Sequence, residues 1–201
     1  MKVLVLDNYD SFTYNLVQYI QEILGYKVDV FRNDQISLEE VEKYDVIVLS
    51  PGPGVPSDAG IMPELIHRYA ANKSILGVCL GHQAIGEVFG GSIENLENVF
   101  HGIATPITIT DEDDPLFKGL DKEIVVGRYH SWIVKQEGLP DCFHVTAVAE
   151  NNVIMAISHK YYHVKGMQFH PESIMTKDGK QMLRNFFAEA KIRIQENKLI
   201  A

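Results

Sequence analysis

The chain is short of several things, and each shortage excludes something. It holds only two cysteines, Cys79 and Cys142, in 201 residues. A disulfide-stapled scaffold uses more, and a chain of this length buries a sizeable core without staples, so a reducing compartment is expected. Basic residues are scarce. Lys and Arg number 18 against 27 Asp and Glu, a net charge of −9. Phosphate backbones are held by clustered Lys and Arg, so nucleic acid is not an expected partner. No apolar run approaches the roughly 20 residues that span a bilayer, so no membrane is expected. Val3–Leu6, with one Lys before it and Asp7 after it, is too short for a signal-peptide core, and a cytoplasmic location is expected. There is no internal repeat, linker or low-complexity segment, so residues 1–201 are expected to form one domain. The eight histidines show no ligand spacing such as His-Glu-x-x-His, and no metal is expected.

What is present reads as alternating strands and helices. Val3–Leu6 is a short apolar run, and Phe12–Leu24 repeats apolar residues at helical spacing before Gly25 stops it. Lys27–Phe31 alternates as a strand, and Leu38–Lys43 reads as a short helix. Val46–Leu49 and Ile75–Val78 are continuous apolar runs, the mark of strands buried on both faces. Met62–Ala71 and Gln83–Phe89 read as helices. This order predicts an α/β fold with a mostly parallel sheet and helices on both faces. The second half predicts strands over Thr105–Thr110, Ile124–Val126, Trp132–Lys135, His144–Ala149, Val153–Ser158 and Val164–Phe169, partly as antiparallel hairpins, with Glu150-Asn151-Asn152 as one turn. Gly179–Asn197 reads as a closing helix.

The sharpest chemical signal is Gly77-Val78-Cys79-Leu80-Gly81-His82. It sets a cysteine between an apolar strand and a helix, with a glycine two positions away on each side. That is the nucleophile-elbow pattern with Cys in place of Ser. Flanking glycines let the two backbones approach where a Cβ would not fit. A sulfur on such a turn stands above the sheet edge, where helix N-terminal N–H groups favour a thiolate and can hold an oxyanion. Cys142, in Pro140-Asp141-Cys142-Phe143, has no such setting and reads as a small buried hydrophobe. A cysteine nucleophile needs an imidazole, and the imidazole needs a third group to orient it. Gln168-Phe169-His170-Pro171-Glu172-Ser173 offers both, because His170 and Glu172 two residues apart in extended chain point to one face. Seven other histidines compete, and His82 is placed to cap or orient the elbow helix.

With these residues assembled, the chain resembles the class I (triad) glutamine amidotransferases. The resemblance runs almost end to end, through Asp7–Asn15, Leu49–Gly54, Gly77–Gln83, Arg128–Ser131, Met155–Ile157 and Gln168–Ser173. Within the family it looks closest to the small subunit of anthranilate synthase or the glutaminase subunit of aminodeoxychorismate synthase. The resemblance implies a flavodoxin-like domain that hydrolyses L-glutamine to glutamate and ammonia, and its implied partner is a chorismate-using synthase subunit. It implies no cofactor in this chain, with Mg2+ only in that partner. It implies Cys79, His170 and Glu172 as the triad, and Gly52 and Leu80 as oxyanion-hole donors. Gly52, Pro53, Gly54, Gln83, Ser131 and Trp132 are the implied glutamine-binding residues. Taken alone, Pro51-Gly52-Pro53-Gly54 is also a rigid turn, and Asp10 or Ser11 also reads as a cap of the first helix where the resemblance puts a docking loop. Two departures stand out. Trp132 occupies a position that is often Leu, and His101-Gly102-Ile103-Ala104-Thr105 replaces a common His-Gly-Lys-Thr-Ser. Two rivals are weighed: a cysteine hydrolase of another kind on the same triad, such as a peptidase or deglycase, and a non-catalytic regulatory or binding subunit on the amidotransferase fold.

Overall fold

A computed structural model describes residues 1–96 and 99–200. The first half alternates β1 (Val3–Asp7), α1 (Thr13–Leu24), β2 (Asp29–Arg32), α2 (Leu38–Val41), β3 (Val46–Leu49), α3 (Met62–Tyr69), β4 (Ser74–Val78) and α4 (Leu80–Val88). The second half runs β5 (Ile93–Asn95), β6 (Ile103–Ile109), β7 (Glu123–Arg128), β8 (Trp132–Val134), β9 (Phe143–Val148), β10 (Ile154–His159), β11 (Val164–Met167) and α5 (Gly179–Ile200).

Nine strands make one sheet in the order β2-β1-β3-β4-β11-β10-β9-β6-β7. β2, β1, β3, β4 and β11 run parallel. The hairpin strands β10, β9, β6 and β7 continue the same sheet antiparallel, and β5 pairs with β8 as a separate antiparallel ribbon. The apolar runs explain the layering. On β1, Val3 and Val5 pack with Leu16 and Ile20 of α1 and Met182 and Phe186 of α5. Leu4 and Leu6 face the other way, with Leu65 and Ile66 of α3 and Ile85 of α4. Both faces are thus covered, as the continuous apolar runs require. Each fully buried Leu, Ile or Val contributes about 1.5–3 kcal/mol of gross stabilisation.

Three local expectations change. The elbow helix starts at Leu80 rather than Gln83. β5 arises where no strand is expected, because its pairing with β8 supplies what its single apolar residue, Ile93, does not. Neither Asp10 nor Ser11 is the N-cap of α1. Phe12 holds that position without a side-chain cap, and Asp10 Oδ1 accepts the Phe12 N–H at 2.7 Å in the turn before it. The Glu150–Asn152 turn does join β9 to β10, with Asn151 and Asn152 at φ 59° and 57°, a conformation that asparagine tolerates better than most residues.

The fold brings the carboxyl ends of β1, β3, β4 and β11 to one sheet edge. The loops that leave this edge carry Asp7–Ser11, Ser50–Gly54, Cys79 and Gln168–Ser173. Ligand sites of open α/β sheets form at such edges.

Candidate active site

Cys79 is the single residue between β4 and α4, at φ 51° and ψ −100°. A non-glycine residue held there costs about 1–3 kcal/mol, which the surroundings must offset. Its N–H donates to the Met167 carbonyl at 2.8 Å, and its carbonyl accepts from the Gln83 N–H at 3.0 Å. The flanking glycines are steric requirements. A Cβ on Gly77 would lie 2.7 Å from the His82 nitrogen, and one on Gly81 would lie 2.7 Å from the Leu49 carbonyl oxygen. The turn is therefore fixed from both sides, and Cys79 is 5% exposed.

His170 follows β11, and its main-chain N–H donates to the Gly127 carbonyl at 3.1 Å. Its Nδ1 lies 2.7 Å from Glu172 Oε1, and both side chains are buried. Its Nε2 is buried and has no hydrogen-bond partner among the described residues. Burial opposes a charge on this ring. The Cys79 sulfur and the Glu172 carboxylate outweigh burial and push His170 up to about 10. An imidazolium beside the sulfur is the favoured resting state. Tyr129 and Phe12 pack on the ring, with centroids at 4.8 Å and 5.7 Å. Both lie in stretches that carry the family resemblance, but no local pattern aims them at His170. They fix the ring plane and exclude water from it.

Gly52 follows β3 and faces the elbow. A Cβ there would lie 2.7 Å from Leu80 Cδ2 and 2.6 Å from the Asn8 carbonyl oxygen. Leu80 opens α4, where a first-turn N–H has no intrahelical acceptor. Pro53 and Gly54 are exposed and line a cleft of about 430 Å³ with Tyr9, Asp34, Asp58 and Leu80. Within the Asp7–Ser11 loop, Asp7 and Asn8 are buried, whereas Tyr9 is 47% exposed.

Gln83 meets the main chain of Trp132, while the Ser131 carbonyl accepts from the Leu96 N–H at 2.7 Å. Gln83 Nε2 donates to the Trp132 carbonyl at 2.8 Å and to Gln168 Oε1 at 3.2 Å. Gln168 Nε2 in turn reaches Cys79 Sγ at 3.6 Å. The Trp132 carbonyl also accepts from His130 Nδ1 at 3.0 Å, and His130 Nε2 accepts from Arg128 Nε at 3.1 Å. Those two bonds fix the tautomer. Burial first, and Arg128 next, hold His130 down at about 3, so it stays neutral. The Trp132 carbonyl is thus pinned by two donors. Trp132 is half-buried. Ile103, the other departure noted in the sequence, is 46% exposed at the start of β6.

The remaining candidates lie apart. His82 neither caps nor orients its helix through a hydrogen bond; its ring is buried against Gly166, and burial pushes it down to about 3. Burial pushes the Cys142 thiol up. A cavity of about 950 Å³ lies between the β6–β7 hairpin and the β9–β10 turn, but neither the triad candidates nor Gly52 line it. Among the described residues, no group of three His, Cys, Asp or Glu side chains could hold a metal ion. Among them also, no helix is long and apolar enough to cross a membrane.

Comparison with known proteins shows the family. Residues 4–190 match the family described as Glutamine amidotransferase class-I. The aminodeoxychorismate/anthranilate synthase component 2 of Bacillus subtilis (strain 168) is 50% identical over 186 residues, covering 92% of this chain and 94% of that protein. The aminodeoxychorismate synthase component 2 of Escherichia coli (strain K12) is 48% identical, covering 92% and 98%. The crystal structure of a Thermoplasma acidophilum protein, provisionally described as part of a GMP synthase, superposes with a TM-score of 0.88 at 28% identity, over 98% of each chain. The chain belongs to the class I glutamine amidotransferases.

Proposed function

We propose that Cys79, His170 and Glu172 form the catalytic triad of the glutaminase subunit of anthranilate synthase. The observation that carries this reading is the Nδ1–Glu172 bond at 2.7 Å, which leaves His170 Nε2 as the free ring nitrogen beside a strained cysteine turn. Cys79 Sγ attacks the side-chain amide carbon of glutamine and forms a C–S bond. The carbonyl oxygen becomes an oxyanion, held by the N–H groups of Leu80 and Gly52. Collapse breaks the C–N bond, and the proton on His170 Nε2 goes to the departing ammonia. Water then attacks the thioester as His170 takes its proton, and glutamate leaves as the C–S bond breaks. Glu172 holds the ring and stabilises its charge throughout. Gly52, Pro53, Gly54, Gln83, Ser131 and Trp132 bind the glutamine. No cofactor is needed for these steps in this chain.

The ammonia passes to a chorismate-using synthase subunit, the Mg2+ site belongs to that partner, and the complex is cytoplasmic. Relatives named as component 2 support the partner. The Bacillus subtilis relative carries both pathway names at 50% identity, which favours a second reading in which one subunit serves anthranilate and aminodeoxychorismate synthesis. The test is reconstitution with each synthase subunit, following anthranilate fluorescence and 4-amino-4-deoxychorismate formation from glutamine. Activity with the aminodeoxychorismate partner alone overturns the primary reading, and activity with both establishes the shared subunit.

A further inference from the structure

We propose that Gln168 is a positioning residue that holds the sulfur of Cys79 by donating an amide N–H to it. The inference rests on the reading of Cys79 as nucleophile and adds a residue to that machinery. Gln168 is fully buried. Its main-chain N–H is donated to the Met155 carbonyl at 2.9 Å, which anchors the backbone just after β11. Its side chain has only one workable orientation. Gln83 Nε2 donates at 3.2 Å, so the atom that receives it must be Gln168 Oε1. The amide nitrogen is thereby turned toward Cys79 Sγ at 3.6 Å, a reasonable reach for a donor to sulfur.

Four connected groups result. Gln83 donates one N–H to the Trp132 carbonyl and the other to Gln168, and Gln168 passes its own N–H to the sulfur. The segment proposed to hold glutamine and the nucleophile are therefore joined through one amide. A hydrogen bond to an ionised acceptor is stronger than one to a neutral acceptor, so the bond is worth most wherever the sulfur carries negative charge in the reaction. It also fixes the sulfur's direction. His170 supplies the proton chemistry, and Gln168 supplies aim. Gln168 touches no bond that forms or breaks, which makes it a positioning residue.

The test compares the parent with Gln168→Met, which removes the amide at nearly constant volume, and Gln168→Asn, which keeps the amide but retracts it. Glutamine kcat and KM are measured in the reconstituted complex, and Cys79 alkylation by iodoacetamide is followed in the same samples. Iodoacetamide does not depend on glutamine recognition. For Gln168→Met, kcat and the alkylation rate should both fall about 10- to 100-fold, the worth of one hydrogen bond to a charged group, while KM stays within about three-fold. Gln168→Asn should fall between the two. If Gln168→Met fails to fold, as judged by thermal melting, Gln168→Asn decides. A kcat and alkylation rate within two-fold of the parent overturns the proposal. A loss confined to KM also overturns it, since Gln168 would then bind substrate. Absence of glutamine turnover and of Cys79 labelling in the parent itself is a different result, and it counts against the proposed function.

Discussion

Gly52→Ala is a direct test of the oxyanion-hole geometry. An alanine Cβ would stand 2.6 Å from the Asn8 carbonyl oxygen, whereas ordinary contact begins near 3.4 Å, so about 0.8 Å must be found. Leu80 Cδ2, at 2.7 Å, is a side-chain tip and can turn away. Asn8 cannot yield. It is 2% exposed, its N–H is donated to Ser50 Oγ at 2.8 Å, its Nδ2 to the Ser50 carbonyl at 2.8 Å, and its Oδ1 accepts from Asn33 at 3.0 Å. The Pro51–Gly54 loop must therefore carry the displacement. Productive constellations tolerate only about 0.5 Å, so the Gly52 N–H leaves the position of the oxyanion. Loss of one such donor costs on the order of 10²–10³ in kcat, about 3–4 kcal/mol. The assay is steady-state glutamine hydrolysis by the reconstituted complex, with iodoacetamide labelling of Cys79 as a control that the triad is intact. A variant that keeps kcat within three-fold of the parent refutes both the displacement and the role of Gly52.

Titration with a glutamine-like alkylating agent, followed by peptide mapping, should label Cys79 and leave Cys142 unmodified, since burial pushes the Cys142 thiol up and no imidazole serves it. Cys79→Ala should abolish glutamine-dependent synthesis by the complex while synthesis from added ammonium persists; joint loss of both would make Cys79 structural. The proton on His170 contributes stability that is complete below its unfolded value near 6.5 and is lost as pH rises through its folded value of about 10. The melting-temperature gap between the parent and Cys79→Ala should accordingly narrow from pH 8 to pH 10, and a widening gap contradicts the ion pair. Lys165→Ala should destabilise by about 3–5 kcal/mol in urea unfolding. It strips a cation from Asp114 at 2.7 Å, with Lys165 5% and Asp114 6% exposed, and a loss below 1 kcal/mol would show that water replaces the pair.

The nucleophile and the layering are legible in the order of residues alone. Gly77 and Gly81 around Cys79 admit few uses other than a turn where strand and helix touch. Val46–Leu49 and Ile75–Val78 are apolar at every position, so they demand cover on both faces. His170 and Glu172 are two residues apart, so their pairing is local. Gln168 stays hidden because an amide two positions before His170 in strand-like chain carries no sign of its partner, which is 85 residues away in Gln83. The start of α4 reads too late because Gly81 lowers helix propensity by about 1 kcal/mol, a deficit offset by its close packing on Leu49.

The surroundings of the triad come instead from tertiary contacts. Parallel pairing of β11 with β4, across a chain separation that includes the whole antiparallel excursion, sets Gln168 and His170 beside Cys79. The Phe12 and Tyr129 rings reach His170 from the residue before α1 and from just past the end of β7. Arg128 holds His130, and His130 holds the carbonyl of Trp132, all within one short stretch, yet their direction depends on the sheet edge that buries them. Local pattern specifies faces and turns, because those follow from steric period and solvent. Which distant side chains converge depends on strand order, and strand order is settled by the shared burial of many residues rather than by any one motif.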